Sequence, residues 1–223
     1  RHIDAFVFSG ISLGLPGINR KNIINSSNIA IPGCYPTSIL LPLIPLLKHS
    51  AINVDNIIID SKSGYSGAGK SFDIKNINQN NNLNFYNYNT NEHRHITEIY
   101  QELSKYSNSD ISFSFNPHIL PNFRGMMSTI YCNLNSNMNL SNIKNIFNDF
   151  AQENEFIKFY DDKRADFFSV QNTNNCIIKL LKHYDSSKLI IVSLIDNLKK
   201  GAAGQAVQCL NINLGINESI SLN

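Results

Sequence analysis

The 223-residue sequence has little net charge and no long uninterrupted apolar run. A net charge of +2 gives no electrostatic reason to expect binding to nucleic acid or to an anionic membrane. The longest apolar stretch, residues 39–47, is too short to span a bilayer and is interrupted by Pro42 and Pro45. Neither nucleic acid nor a membrane is therefore predicted as a partner, and 42% hydrophobic residues suffice for one good core.

Paired cysteines are also missing. Cys34, Cys132, Cys176 and Cys209 lie far apart and form no CxxC pair. This scatter argues against a metal site, and it fits a reducing compartment better than a disulfide framework. A cytoplasmic location is expected, or an organellar matrix if the source is eukaryotic.

Cys34 is the candidate nucleophile. It follows a Pro-Gly turn and leads into an apolar stretch, residues 38–47, that is predicted to be helical. Unpaired N–H groups and the positive end of a helix dipole favour the thiolate, which is the form that attacks a carbonyl or acyl carbon. The alternative is a buried thiol that packs as a small hydrophobe.

Two histidines two positions apart, His93 and His95, are candidates for acid–base chemistry because imidazole titrates near neutrality. In an extended segment both face one cleft while Arg94 faces away. If the helix predicted to begin with Thr97 as its N-cap starts slightly earlier, Glu98 lies one turn from His95 and can orient its imidazole. One histidine of the pair is expected only to cap or to hydrogen-bond, and the sequence leaves open which.

Five segments stand in an order and spacing that resemble a known family. They are PGCYPT at 32–37, SGYSGAGK at 63–70, HRHITEI at 93–99, the segment 117–131 and IDNLKKGAAGQAVQ at 195–208. Together they resemble the N-acetyl-γ-glutamyl-phosphate reductases of arginine biosynthesis, from about Leu13 to the C-terminus. One such segment is a weak signal, whereas five in order make a specific match.

The resemblance implies an α/β (α+β) fold with a catalytic domain on a large mixed sheet, like that of glyceraldehyde-3-phosphate dehydrogenase. It also implies a C-terminal helix, predicted at 202–210, that packs on a Rossmann cofactor domain. No glycine-rich dinucleotide fingerprint occurs near the N-terminus, so the chain is expected to be the C-terminal part of a longer protein. Residues 1–31 are expected to end the cofactor domain, 32–190 to form the catalytic domain, and 191–223 to return to the cofactor domain.

Local patterns predict the remaining elements. Strands are expected at 5–8, 56–60, 111–115, 127–134 (a candidate partner of 111–115), 167–170, 176–182 and 189–194. Helices are expected from Thr97 to about 105 and over 140–154. Runs of strands with fewer helices agree with a mixed sheet domain.

The resemblance implies NADPH-dependent reduction of N-acetyl-γ-glutamyl phosphate to N-acetylglutamate 5-semialdehyde and phosphate. Cys34 would form a thioester that is then reduced, with His93 and His95 as acid and base. Related acyl phosphates, built on aminoadipate or aspartate, are the alternative substrates, and a non-catalytic domain is the alternative class. The family forms dimers or tetramers, so self-association is expected.

Two arginines are candidates for binding the substrate. Arg124 lies in an otherwise apolar segment and can fork onto a carboxylate or a phosphate, both of which the substrate carries. A surface salt bridge is the alternative for Arg124, and Arg94 is a weaker candidate. His118, beside Pro117, is more simply structural.

NADP(H) is the expected cofactor, and small residues are the candidates for binding it. The loop that contains Ser66 and Gly67 lets backbone N–H groups approach an anion without interference from Cβ atoms. By resemblance, this loop lines the active site beside the cofactor, together with Asn197 and Gly201. No metal is expected.

Departures from the family pattern fall at Ile31, where Asn is usual, at Gly17, where Glu is usual, and at Asn172, which replaces a turn glycine. Asparagine accepts the left-handed backbone that such a turn needs. Pro42 would remove the helical hydrogen bond to the Ser38 carbonyl, so a kinked or weakened helix is expected.

Overall fold

The computed structural model describes residues 11–67, 84–90, 92–161 and 163–222. Its strands are β1 (Ile11–Leu13), β2 (Asn28–Ala30), β3 (Ile57–Gly64), β4 (Tyr86–Asn87), β5 (Phe113–Leu120), β6 (Met126–Asn133), β7 (Ile157–Tyr160), β8 (Cys176–Leu181) and β9 (Lys188–Ile195). Seven of them form one sheet in the order β4-β5-β3-β6-β9-β8-β7. The pairs β3–β5 and β7–β8 are parallel and the other neighbours are antiparallel. The large mixed sheet is therefore as predicted.

Five α-helices complete the described part. They are α1 (Pro16–Ile24), α2 (Cys34–Lys48), α3 (His95–Ser104), α4 (Leu140–Gln152) and α5 (Gly204–Asn213). A π-helical turn, Lys199–Ala203, leads into α5, and Phe167–Ser169 is a short 3₁₀-helix. No helix in the described ranges is long and apolar enough to cross a membrane.

Helix α2 is the centre of the core. Residues 35–47 are all buried, as expected for a helix that is apolar on every side. It packs between the inner face of the sheet and helices α3 and α4. Its one buried serine is satisfied, since Ser38 Oγ lies 2.9 Å from the Tyr35 carbonyl and 2.7 Å from Ser128 Oγ on β6.

The outer face of the sheet carries an apolar row that crosses four strands. Ile58 pairs in register with Tyr131, Tyr131 with Ile190, and Ile190 with Leu181. Ile58, Tyr131 and Leu181 are 44%, 40% and 41% exposed. Beside this row, a small cluster around Val170 covers the outer side of β8 and β9.

The segments at the two ends of the described chain pack on each other. β1 and β2 form a separate parallel pair, and α1 contacts α5 through a cluster of Ile23, Cys209 and Ile212. Asn213 Nδ2 donates to the carbonyls of Ile23 at 2.8 Å and of Ser26 at 2.9 Å. These contacts fix the position of α5 and of the π-helical turn before it.

Several local predictions need correction. The segment predicted as a strand at 167–170 contains a 3₁₀-helix, Phe167–Ser169, because Asp166 and Ser169 form a capping box around it. Thr97 lies inside α3, whose N-cap is Arg94. β6 does not pair with β5, because β3 lies between them.

The structure shows the backbone at two departures from the family pattern, Pro42 and Asn172. Pro42 and Pro45 both lie inside α2, which runs as a single helix from Cys34 to Lys48. Asn172 has φ +63°, which confirms the left-handed turn predicted there. The strand predicted at 5–8 lies outside the described residues.

Candidate active site

Cys34 is the first residue of α2, which confirms its predicted place at a helix N-terminus. Gly33 is the N-cap, with extended backbone at φ −62° and ψ 165°, and its carbonyl accepts from Thr37 N at 2.9 Å. No side chain of α2 itself caps this end. Pro36 is tolerated here because the first turn needs few N–H donors.

Helix α3 holds the residue before the nucleophile from two sides. The His95 ring lies so close to Gly33 that a Cβ there would overlap its Nε2 atom. The Glu98 carboxylate accepts from Gly33 N at 3.1 Å. The carboxylate predicted to orient His95 therefore binds the backbone beside Cys34.

The two histidines have different surroundings. His93 Nδ1 accepts from the His95 amide at 3.2 Å, and His93 Nε2 lies 3.3 Å from the Tyr88 hydroxyl. Tyr88 donates to Tyr35 at 3.3 Å, and Tyr35 donates to the His118 carbonyl at 3.2 Å. This directed chain places the proton of neutral His93 on Nε2. His93 is thus the member of the pair that caps and hydrogen-bonds.

His95 has a free ring nitrogen. Its Nδ1 is buried and has no hydrogen-bond partner among the described residues, although the rings of His95 and His93 are only 4.7 Å apart. Burial, then the neighbouring His93 and Arg94, lower the pKa of His95 to about 3. Burial and Arg94 also lower the pKa of His93. Both rings are therefore neutral at physiological pH.

Burial has the largest effect on the pKa of the Cys34 thiol. The helix N-terminus acts in the predicted direction, because backbone hydrogen bonds lower the pKa of Cys34, as does Arg94. Burial outweighs them and, with a smaller contribution from Glu98, raises the pKa of the half-buried Cys34 to about 11. The thiol and the His95 imidazole are therefore both neutral at physiological pH, and the imidazole packs on Gly33, the residue before Cys34.

One of the residues assigned to the cofactor, Gly201, packs against Cys34. A Cβ on Gly201 would lie 2.7 Å from the Cβ of Cys34, so the π-helical turn packs directly on the nucleophile. Asn197 Nδ2 donates to Ser66 Oγ at 2.9 Å, and its Oδ1 accepts from Gly125 N at 2.7 Å. Asn197 thus joins the end of β9 to the loop after β3.

Gly67 belongs to the same loop. A Cβ on Gly67 would lie 2.6 Å from Ser63 Oγ and 3.7 Å from Asn197 Nδ2. Ser66, Gly67 and Asn197 therefore lie together, and Gly67 also lines a cavity with His93. Residues 68–70 of this glycine-rich segment lie outside the described residues.

The two candidate substrate arginines have different partners. Arg94 is exposed and lines a cavity of 430 Å³ together with His93, Tyr88 and Gly67. Arg124 forms an ion pair with the fully buried Asp196, 3.0 Å from Nε to Oδ2, and its Nη1 donates to Asn172. The structure thus places Arg94 at an open cleft and Arg124 in an internal ion pair.

Three residues of the site were not identified from the sequence. Tyr35 lies next to the nucleophile, and its ring contacts both histidine rings edge-on, with centroids 5.4 and 6.0 Å apart. Tyr88 carries no motif signal, because its role depends on a contact with Tyr35 across 53 positions. Lys200, in the π-helical turn, is buried with Nζ 2.7 Å from Gln208 Oε1, and burial lowers its pKa to about 8. His118 Nδ1 lies 3.3 Å from Asp60 and from the Ser61 carbonyl, as a structural residue would.

A family model described as semialdehyde dehydrogenase, dimerisation domain, matches residues 34–197. The chain belongs to this family. The match begins at the candidate nucleophile and ends at Asn197. Within the described ranges, no group of His, Cys, Asp or Glu side chains could hold a metal ion.

Curated relatives confirm the resemblance found in the sequence. The chain is 45% identical over 213 residues to a protein of Clostridium botulinum named N-acetyl-gamma-glutamyl-phosphate reductase, covering 94% of this chain and 61% of the relative. It is 42% identical over 216 residues to the protein of the same name from Caldicellulosiruptor bescii, covering 97% and 63%. The chain therefore spans less than two thirds of the length of these relatives.

Solved structures confirm the semialdehyde dehydrogenase fold. The aspartate semialdehyde dehydrogenase II of Vibrio cholerae superposes with a TM-score of 0.72 at 18% identity, over 92% of this chain and 69% of that one. The aspartate semialdehyde dehydrogenase of Francisella tularensis gives 0.70 at 15% identity, over 92% and 71%.

Proposed function

We propose that this chain carries the catalytic residues of an enzyme that reduces N-acetyl-γ-glutamyl phosphate to N-acetylglutamate 5-semialdehyde. The main support is the packing at the start of α2, where His95 lies against Gly33 and Gly201 lies against Cys34. The relatives named N-acetyl-gamma-glutamyl-phosphate reductase support the choice of substrate. Aspartyl and aminoadipyl phosphates are the competing substrates.

In the proposed reaction, the Cys34 sulfur bonds to the acyl carbon as the carbon–oxygen bond to phosphate breaks. The thiol proton must leave during this step, because the resting thiol is not ionised. His95 is the proposed acceptor, since it is neutral, lies against the backbone next to Cys34 and has an unpartnered Nδ1. His93 holds the amide of His95 and keeps α3 in place.

The described residues fit a nicotinamide cofactor, proposed to be NADPH. Gly67 and Gly201 lie where any side chain would collide, which leaves bare backbone for close approach. The fully buried amide of Gln205, in the first turn of α5, has no partner for either polar atom among the described residues. Ser66, Gly67 and Gly201 would hold the cofactor, with Asn197 fixing Ser66 from behind. The bound cofactor supplies the hydride that reduces the thioester.

Arg94 is the proposed contact for the anionic end of the substrate. It is exposed at the mouth of the cleft that His93 also lines, and no ion pair engages it among the described residues. Arg124 would bind substrate only by leaving the buried Asp196, whose isolation is costly. We therefore rank Arg94 above Arg124 and keep both as proposed substrate-binding residues.

The proposed domain division is the one that the resemblance implies, although residues 191–195 lie in the large sheet as the end of β9. Residues 1–31 and 191–223 are assigned to the side of a cofactor domain, where α1 and α5 pack together, and 32–190 to the catalytic domain. A second copy of the chain is the proposed partner on the outer face of the sheet, at the apolar row of Ile58, Tyr131, Ile190 and Leu181. Cys34 and the buried Cys132, Cys176 and Cys209 all have free thiols. Free thiols favour a reducing, cytoplasmic location.

The test uses the complete gene product. NADPH formation is followed from N-acetylglutamate 5-semialdehyde, NADP⁺ and phosphate, for the native enzyme, Cys34→Ser and the control Cys132→Ser. Phosphate-dependent turnover that is lost only in Cys34→Ser is expected. Turnover with aspartate or aminoadipate semialdehyde alone would overturn the substrate, and no turnover with any of them would overturn the enzymatic proposal.

A further inference from the structure

Glu98 completes the N-terminal cap of α2 from a different helix. Many helices begin with a capping box, in which a side chain three residues into the helix accepts from the N-cap backbone N–H. In α2 that position is Pro36, part of a helix with no side-chain cap of its own. Glu98 of α3 replaces it, since its Oε1 accepts from the N-cap amide of Gly33 at 3.1 Å.

This contact lies one residue from the nucleophile. The His95 ring, also on α3, packs closely on Gly33. Glu98 and His95 therefore contact the same residue, one by a hydrogen bond and the other by packing. Because the Gly33 peptide is held on both sides, the position of the Cys34 Cα atom is fixed. Positioning of this kind matters, because a shift of about 1 Å at a reacting atom can cost roughly 100-fold in rate.

Glu98 also brings charge to the thiol. Two charged groups of α3 act on Cys34 in opposite directions: Arg94 favours the thiolate and Glu98 disfavours it. Neutral His95 and the hydroxyls of Tyr35 and Tyr88 are the other titratable groups close by. Glu98 itself is raised in pKa by burial and by Glu102, while the Gly33 bond and Arg94 lower it.

We propose that Glu98 is a positioning residue for the nucleophile, which fixes the turn before Cys34 through its hydrogen bond to the Gly33 amide and places a negative charge beside this turn. This charge acts in the same direction as the burial of Cys34, which is the main cause of its raised pKa. The inference deepens the proposed function, because it assigns Cys34 as the group to be controlled. Its test does not depend on turnover.

The experiment measures alkylation of Cys34 by iodoacetamide across pH, in the complete gene product without substrate. Peptide mass spectrometry separates Cys34 from Cys132, Cys176 and Cys209. Three variants are compared with the native protein: Glu98→Gln, Glu98→Ala and Glu102→Gln. Gln keeps an oxygen that can accept from Gly33 but removes the charge, whereas Ala removes both.

Glu98→Gln is expected to move the alkylation profile of Cys34 to lower pH by roughly a few tenths of a unit, which is about twofold faster reaction below the midpoint. Glu98→Ala is expected to show the same shift with a lower unfolding temperature. Glu102→Gln, on the same helix but bonded to Lys105, should leave the profile near that of the native protein.

An unchanged profile in Glu98→Gln would overturn the proposal, as would an equal shift in Glu102→Gln. If Glu98→Ala does not fold, Glu98→Gln still decides the question. Failure of the reductase assay with a clear alkylation shift would reject the proposed reaction but not the role of Glu98. Turnover in the reductase assay with no alkylation shift would reject the role of Glu98 but not the proposed reaction.

Discussion

Gly201 and Cys34 touch across the candidate site without an intervening side chain. A Cβ on Gly201 would lie 2.7 Å from the Cβ of Cys34 and 3.2 Å from its Cα. Gly201 cannot retreat easily, because its N–H donates to the Asp196 carbonyl at 2.9 Å in the π-helical turn. Turns of this kind often occur at functional sites.

Gly201→Ala is therefore expected to displace either Cys34 or the turn and to lower kcat by about 100-fold. The control is Ala203→Ser, which adds one atom at an exposed position of the same turn. Steady-state rates and circular dichroism of both variants check the prediction. Equal rates for Gly201→Ala and the native enzyme would show that the turn yields without moving the nucleophile.

The two histidines should respond differently to substitution. His95→Gln is expected to lower kcat by 100- to 10,000-fold, roughly the contribution of a general base. His93→Gln breaks a hydrogen bond to the His95 amide and another to Tyr88, so it is expected to cost about 1–3 kcal/mol of folding free energy. Rates and urea unfolding curves, measured on the same preparations, separate the two effects. A larger loss of kcat in His93→Gln would reverse the assignment.

His95 should also make folding sensitive to acid. Its pKa falls from 6.5 to about 3 on folding, so the unfolded chain binds more protons between these values. Stability from this residue is complete above about pH 6.5 and is lost as the pH falls towards 3. The loss should reach several kcal/mol, since each pKa unit corresponds to about 1.4 kcal/mol.

Urea unfolding between pH 7 and pH 4 tests this expectation. His95→Gln should flatten the decline, whereas the same change at the exposed His49 should not. A native protein whose stability stays constant over this range would contradict a buried neutral His95.

Elements with a clear local period were predictable from the sequence. The helix expected at 140–154 is α4, Leu140–Gln152, because its apolar residues recur at helical spacing and Asn139 caps it. The strand expected at 189–194 is β9, Lys188–Ile195. In both, the residues that decide the structure are neighbours along the chain.

The features that the sequence left open depend on contacts between distant residues. Arg124 forms an ion pair with Asp196, which no local pattern reveals. The choice between the histidines depends on Tyr88, and the state of the thiol depends on how deeply α2 is buried. The sequence therefore indicated which residues could take part in catalysis or binding, while packing determined the partners and the protonation state of each one.

The outer face of the sheet provides a prediction on assembly. Tyr131 is 40% exposed and lies in the apolar row with Ile58, Ile190 and Leu181. The family model that matches this part of the chain is described as a dimerisation domain. Tyr131→Glu would bury a carboxylate in the contact between two copies, which is costly without a partner. The variant is expected to sediment as a monomer at concentrations where the native protein is a dimer or tetramer.

Tyr100→Glu is the matched control. Tyr100 is 43% exposed, but it lies on α3, which packs with α2 on the inner side of the sheet. The same change of charge there should leave the sedimentation coefficient unaltered. If Tyr100→Glu separates the copies and Tyr131→Glu does not, the contact between copies lies on the helical side. The apolar row then needs a different occupant, because a row exposed across four strands would otherwise favour aggregation.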